Sequence, residues 1–319
     1  MKPKLIIYNT MMHSLLFGLG FNLIASISKT NLILSIILGT FFNILLLRIF
    51  SNKPNKFLSI IISLIIIIIY MIIFSTYITS FYLINMPSYI INILIILLTI
   101  YIVSKSPNVL NKVCFLITIF NLIVYLIMFI TLFTKINYPN YLPINLNLSL
   151  IKGSLVYSGI SIIPYLYLDN KQSFKENFKS LIISSFITIM ISILVLGILG
   201  PNFIIIYRYP EYMILKEIKL FNCINNLENI IAFIFGNEIL ISMILSLNNI
   251  KNLITKKTNY YLIISLLIII SLIINASFIN YSNQYIIYFL IISSILLIIS
   301  KKFFKYFNTF INSFKHKSI

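Results

Sequence analysis

Acid is what this sequence has least of. Six Asp and Glu stand against 24 Lys and Arg in 319 residues, and all charged residues together make up 9% of the chain. An ordinary soluble domain carries about 25% charged residues to cover itself. A water-soluble globule of this size is therefore excluded, and so is a disordered chain, which needs high polarity. Trp is absent, and Cys114 and Cys223 are the only cysteines. Two thiols so far apart build neither a disulfide framework nor a metal cluster.

Histidine is nearly as scarce, with only His13 and His316. No HExxH zinc motif exists, nor a GxxxxGK[ST] phosphate loop or a GxSxG nucleophile elbow. The six acids all fall between Asp169 and Glu238, one quarter of the chain. No acid–base pair in a shared site is legible, so the chain reads as a non-enzyme without cofactor or metal. The net charge of +18 is scattered between apolar runs. A nucleic-acid binder gathers such charge on one face or tail, so nucleic acid is not an expected partner.

What is present is apolar: 60% of residues are hydrophobic and the mean hydropathy is +1.03. The expectation is an all-α polytopic membrane protein whose partner is the lipid bilayer. A spanning helix takes about 20 mostly apolar residues. Ten stretches qualify, at 6–27, 31–50, 57–82, 88–104, 110–134, 149–168, 180–199, 227–247, 260–280 and 284–302. Charged or Pro-containing breaks at 51–56, 104–108 and 169–179 separate some of them, and longer loops lie at 135–148 and 200–226. No cleavable signal peptide is evident, since no small-residue cleavage site follows Lys2 and Lys4.

Positive charge orients the chain. With the N-terminus inside, 18 Lys and Arg fall in cytoplasmic segments and six outside. The expectation is a multi-pass protein with both termini cytoplasmic, forming a single integral membrane domain over 1–319. A first repeat at 1–134 and a second at 149–302 precede a basic cytoplasmic tail at 303–319. Five helices per half reverse the entry side of the second half, the arithmetic of a 5+5 inverted repeat. No direct similarity between the halves is visible; the repeat comes from counting.

Inverted-repeat transporters bind solutes where mid-membrane helices are interrupted. Four of the eight glycines lie in the opening helix of each half: Gly18 and Gly20 in the first, Gly153 and Gly159 in the sixth, the latter together with Pro164. Helices 1 and 6 are therefore expected to be discontinuous, with Gly18, Gly20, Ser158, Gly159 and Ser161 forming a ligand pocket. Close helix packing is the competing use of the same glycines. Glu238 sits within AFIFGNEILIS near the centre of the eighth helix. An acid there is costly and marks either a coupling carboxylate or a paired structural residue. Glu228, ten residues earlier and about 15 Å along the axis, is the second candidate for a buried or coupling charge. Asn22, Asn43, Asn121, Asn237 and Asn275 are further polar residues at depth. Glu211 and Glu217, in YRYPEYMILKEIKLF, are expected on an amphipathic surface helix of the outer loop.

The segment 138–240 resembles the spore germination permease family, the membrane-embedded B-subunits of nutrient germinant receptors. The resemblance lies in Leu142-Pro143, the Lys152-Gly153 helix start, and Pro164 before a turn holding Lys171, Lys175 and Lys179. It continues through Gly200, Tyr209-Pro210 and Leu227-Glu228. The chain departs from the family by Asn226 where Arg often precedes the Leu-Glu pair, and by lacking a proline in the first helix. The resemblance implies the amino acid–polyamine–cation (APC) transporter superfamily fold, LeuT-like, and a small nutrient ligand, usually an amino acid. It also implies partner A- and C-type receptor subunits, in the spore inner membrane or cell membrane. The alternative from the residues alone is a proton- or cation-coupled amino-acid transporter.

Overall fold

A left-handed backbone at Lys29 (φ 49) ends the first helix. The computed structural model describes residues 20–49, 56–105, 107–144, 146–167, 174–207, 209–215, 228–254 and 257–273. Helix α1 covers Gly20–Ser28, and a 3-10 turn at Lys29–Asn31 leads into α2, Leu32–Ile49. A positive φ is costly for a residue with a Cβ, and exposed Lys29 marks the boundary expected between the first two spans.

The chain continues through α3 (Lys56–Phe81), α4 (Ser88–Ser104), α5 (Pro107–Leu132), α6 (Leu148–Ser161), α7 (Ile163–Tyr167) and α8 (Phe174–Ile206). It closes with α9 (Pro210–Leu215), α10 (Glu228–Leu253) and α11 (Lys257–Ile273). Among the described residues there is no strand, and the fold is all-α. Five stretches are long and apolar enough to cross a membrane: Phe21–Arg48, Lys56–Phe81, Phe115–Lys135, Phe174–Ile206 and Phe233–Leu253. Ser88–Ser104 and Thr258–Ile273 are shorter apolar helices.

The expected spans resolve unevenly. The fourth, at 88–104, coincides with α4. The sixth is divided at Ile162, which leaves α6 and α7 each too short to cross alone. The seventh begins earlier than expected, because Phe174–Lys179 of the charged stretch is already helical, and it runs on through a kink. The eighth extends to Leu253. Residues 6–19 of the first span, 274–280 of the ninth, the whole of 284–302 and the basic tail lie outside the described residues.

The kink in α8 has a covalent cause. Pro201 has no N–H to offer the Gly197 carbonyl four residues back, and Gly200 adopts φ 75, ψ 164, a conformation open essentially to glycine alone. The freed Gly197 oxygen is taken up by the loop before α6. Asn137 N donates to it at 3.0 Å and Asn140 Nδ2 at 2.7 Å, while the Tyr141 hydroxyl donates to Ile193 O at 2.9 Å.

Two ends of the bundle follow from such contacts. At one end, Thr30 donates to Pro143 O at 2.7 Å, joining the Lys29 turn to this loop and to the α8 kink. At the other end, Asn249 Nδ2 reaches Ser59 and Ser63 at 3.1 and 3.0 Å. There Lys251 Nζ also donates to Val103 O at 2.8 Å. Helices α3 and α10 thus run antiparallel, face to face. Helix α2 packs on both α6 and α8, α1 on α6, and α4 on α11. A Cβ on Gly39 would stand 2.6 Å from Tyr157 Cδ1 and 2.7 Å from Ser154 O, so α2 and α6 approach backbone to backbone there.

Candidate functional site

Helix α10 carries Glu238 into the interior, where its side chain is 1% exposed. Its partners come from α5. Asn121 and Tyr125 are four residues apart and therefore share a helix face. Asn121 Nδ2 donates to Glu238 Oε1 at 3.2 Å, and the Tyr125 hydroxyl donates to the same oxygen at 2.9 Å. An acid in an apolar bundle costs several kcal/mol unless such donors compensate it. Ser242, one turn on, donates to the Glu238 backbone carbonyl at 2.8 Å.

A second acid stands beside it. Glu211 lies on α9, outside the spanning candidates, and is 2% exposed. This corrects the expectation of a surface helix. Tyr209, Tyr212 and Ile214 are buried with it, so the described part of the outer segment is inserted into the bundle. Neither Glu211 oxygen has a hydrogen-bond partner among the described residues. Burial pushes its carboxyl from the usual 4.5 up to about 8; its own backbone N–H offsets part of this, and the Glu238 charge adds to it.

Aromatic rings hold α9 in place. The Tyr77 ring on α3 meets Tyr209 edge-on at 5.1 Å, Tyr212 at 5.7 Å and Phe235 of α10 at 4.7 Å. The Tyr209 and Thr76 hydroxyls are 2.9 Å apart. Edge-to-face packing of this kind adds about 0.5–1.5 kcal/mol per pair beyond burial.

The residues predicted to form the ligand pocket distribute differently. Gly18 lies outside the described residues, and Gly20 is the first residue of α1. Ser158, Gly159 and Ser161 are buried together on the last turn of α6, against the break at Ile162. The Ser158 and Ser161 hydroxyls donate to Leu155 O at 3.0 Å and Tyr157 O at 2.7 Å. Around the break, Ile162 N bonds Ser158 O at 3.1 Å and Tyr165 N bonds Ile162 O at 3.0 Å. The interruption is thus a tight turn, with these backbone groups paired. Asn43 Nδ2 of α2 donates to Ser161 Oγ. Asn43 Oδ1 and Asn22 Oδ1, on two helices packed against α6, are buried without a partner among the described residues. Glu228 is the first residue of α10.

An apolar cavity of about 530 Å³ lies between α3, α4 and α10, with Phe74, Ile95 and Asn237 on its wall. None of the predicted pocket residues lines it. Leu94 and Phe233 at its rim are 62% and 65% exposed, so it opens sideways onto the bundle surface. Among the described residues no group of three or more His, Cys, Asp or Glu is gathered as for a metal ion.

Sequence reasoning singled out Glu238, Asn121, Asn43 and Ser161, and the structure joins them in two pairs. It passed over Tyr125, whose signal is its spacing of four from Asn121. It misplaced Glu211, whose signal is the run YPEYMI, apolar and aromatic except for that acid. No family model and no curated protein matches the chain.

Proposed function

We propose that this protein is a permease-like membrane protein that binds a small solute inside its helical bundle. In this reading it is the B-subunit of a spore germinant receptor, recognising a nutrient, an amino acid in the first instance. It signals to A- and C-type partner subunits from the spore inner membrane or cell membrane, with both termini cytoplasmic. The observation that carries the reading is Glu238: a carboxyl 1% exposed and held by two donors from another helix. Acids at such depth face solute or ion pathways far more often than lipid.

Three further features support it. The unpartnered Asn43 oxygen lies on a side chain that reaches Ser161 beside the break at Ile162, and so offers an acceptor for a solute's ammonium or N–H group at an interrupted helix. The packing of α2 on α8, α3 on α10 and α4 on α11 matches three of the five expected spans of the first half with their counterparts five spans later. That is the pairing a ten-span, 5+5 inverted repeat produces. The motif resemblance between 138 and 240 supplies the receptor assignment.

The second reading is a proton- or cation-coupled amino-acid transporter, and Glu238 with its buried neighbour Glu211 favours it. Reconstitution separates the two. Sustained amino-acid uptake by proteoliposomes holding this chain alone establishes transport. Loss of germination on deletion, with nutrient uptake intact, establishes the receptor.

A further inference from the structure

Two buried carboxyls, Glu211 and Glu238, lie on segments that meet at the Tyr77 ring, which packs on Tyr212 and on Phe235, and they are provided for unequally. Glu238 Oε1 receives both the Asn121 and the Tyr125 donor. Glu211, no less buried, has neither oxygen partnered. The groups whose charge reaches Glu211 are Glu238 from α10 and Tyr125 from α5, and Tyr77 of α3 packs on its neighbour Tyr212. Helix α8, which also packs on α9, holds no titratable side chain from Ser180 to Ile206. No cation is among these neighbours. A second negative charge in this setting has nothing among the described residues to balance it.

We infer that Glu211 and Glu238 together form a binding site for one proton, with Glu211 the neutral, proton-bearing member while α9 is seated in the bundle. The donors set the asymmetry: Asn121 and Tyr125 point at Glu238, and no donor side chain among the described residues points at Glu211. Release breaks the Glu211 O–H bond and passes the proton to water at the α9 end of the bundle, with no change of oxidation state. Two neighbouring carboxylates then repel, and the packing of Tyr209 and Tyr212 on the Tyr77 ring is weakened. The site rests on the reading of Glu238 as a charged centre and deepens it by naming the ion and the residue that carries it.

Infrared spectroscopy of the full chain in lipid tests this through the C=O band of protonated carboxyls. The expected result is a band that disappears with a midpoint near pH 8. It is missing in Glu211→Gln and shifted to lower pH in Glu238→Gln, because the neighbouring charge that opposes ionisation is gone. It is the same in sodium, potassium or choline chloride. Absence of a titrating band in the wild-type chain overturns the site, and that measurement needs no variant to fold. So does a band that persists in Glu211→Gln, or a midpoint unmoved by Glu238→Gln. A midpoint displaced by sodium overturns the proton assignment in favour of an alkali-cation site. A titrating band in a chain that binds no solute leaves this site standing and removes only the solute reading.

Discussion

The Tyr125 hydroxyl donates to Glu238 Oε1 at 2.9 Å, tying the middle of α5 to the middle of α10 through one charge-assisted bond. Hydrogen bonds to charged groups contribute about 1.5–3 kcal/mol, roughly twice a neutral one. Tyr125→Phe keeps the ring and removes only the donor. It is expected to destabilise the purified protein by about 1.5–3 kcal/mol in denaturant titration. Stability equal to wild type means that Glu238 does not depend on α5.

Stability is expected to fall as pH rises. The Glu211 carboxyl ionises near 4.5 in an unfolded chain but near 8 in the folded one. Between those values the folded state binds the proton and the unfolded state does not, so each step up in pH favours unfolding. Below 4.5 both states are protonated and the penalty vanishes; above 8 it is complete, at a few kcal/mol by the usual conversion of pKa shifts. The thermal midpoint therefore drops across this window in the wild type and is flatter in Glu211→Gln. Parallel curves for the two proteins contradict the burial of Glu211.

Gly39→Ala tests the close approach of α2 and α6. The added methyl meets the Ser154 carbonyl oxygen at 2.7 Å, a backbone atom that does not move without its helix. A loss of about 1–3 kcal/mol is expected, as for other overpacked sites. Gly236→Ala serves as the comparison: its nearest neighbour is the ring edge of Phe74 at 3.2 Å. There the gain of about 0.5–1 kcal/mol from replacing a helical glycine offsets the tighter contact. Equal losses at both positions remove the packing argument.

Orientation is checked with an impermeant maleimide. Charge counting places Cys223 in an outer loop and Cys114 near the cytoplasmic end of its helix. Cys223 is expected to label in intact cells and Cys114 only after permeabilisation. The opposite pattern reverses the topology.

The fold was legible where the chemistry was local. Charged breaks such as the one at 169–179 separate apolar runs and 88–104 is helical as written, whereas the span expected to end at 199 runs on to Ile206 through the kink at Gly200 and Pro201. The turn at Lys29 was also visible, as a lone base between two apolar runs. The inner site was half legible. Glu238 stands out because an acid in AFIFGNEILIS has no solvated explanation. Glu211 did not, because Arg208, Lys216 and Lys219 nearby give it one. Its insertion depends on Tyr77 receiving Tyr209 and Tyr212, a contact between residues more than 130 positions apart that no local pattern carries. The α6 serines likewise read as a pocket from composition, whereas their hydroxyls turn back onto their own helix.

Ligand binding at the acid centre is the measurement on which the account turns. A panel of amino acids is titrated against the detergent-purified chain, with the thermal midpoint as readout; a bound ligand at 100 times its Kd stabilises by about 2.7 kcal/mol. Gln at position 238 keeps an oxygen for Tyr125 and Asn121 while removing the charge. The account predicts a saturable rise with at least one amino acid, lost in Glu238→Gln and retained in Glu217→Gln. No response to any amino acid, or the same response in both variants, contradicts it.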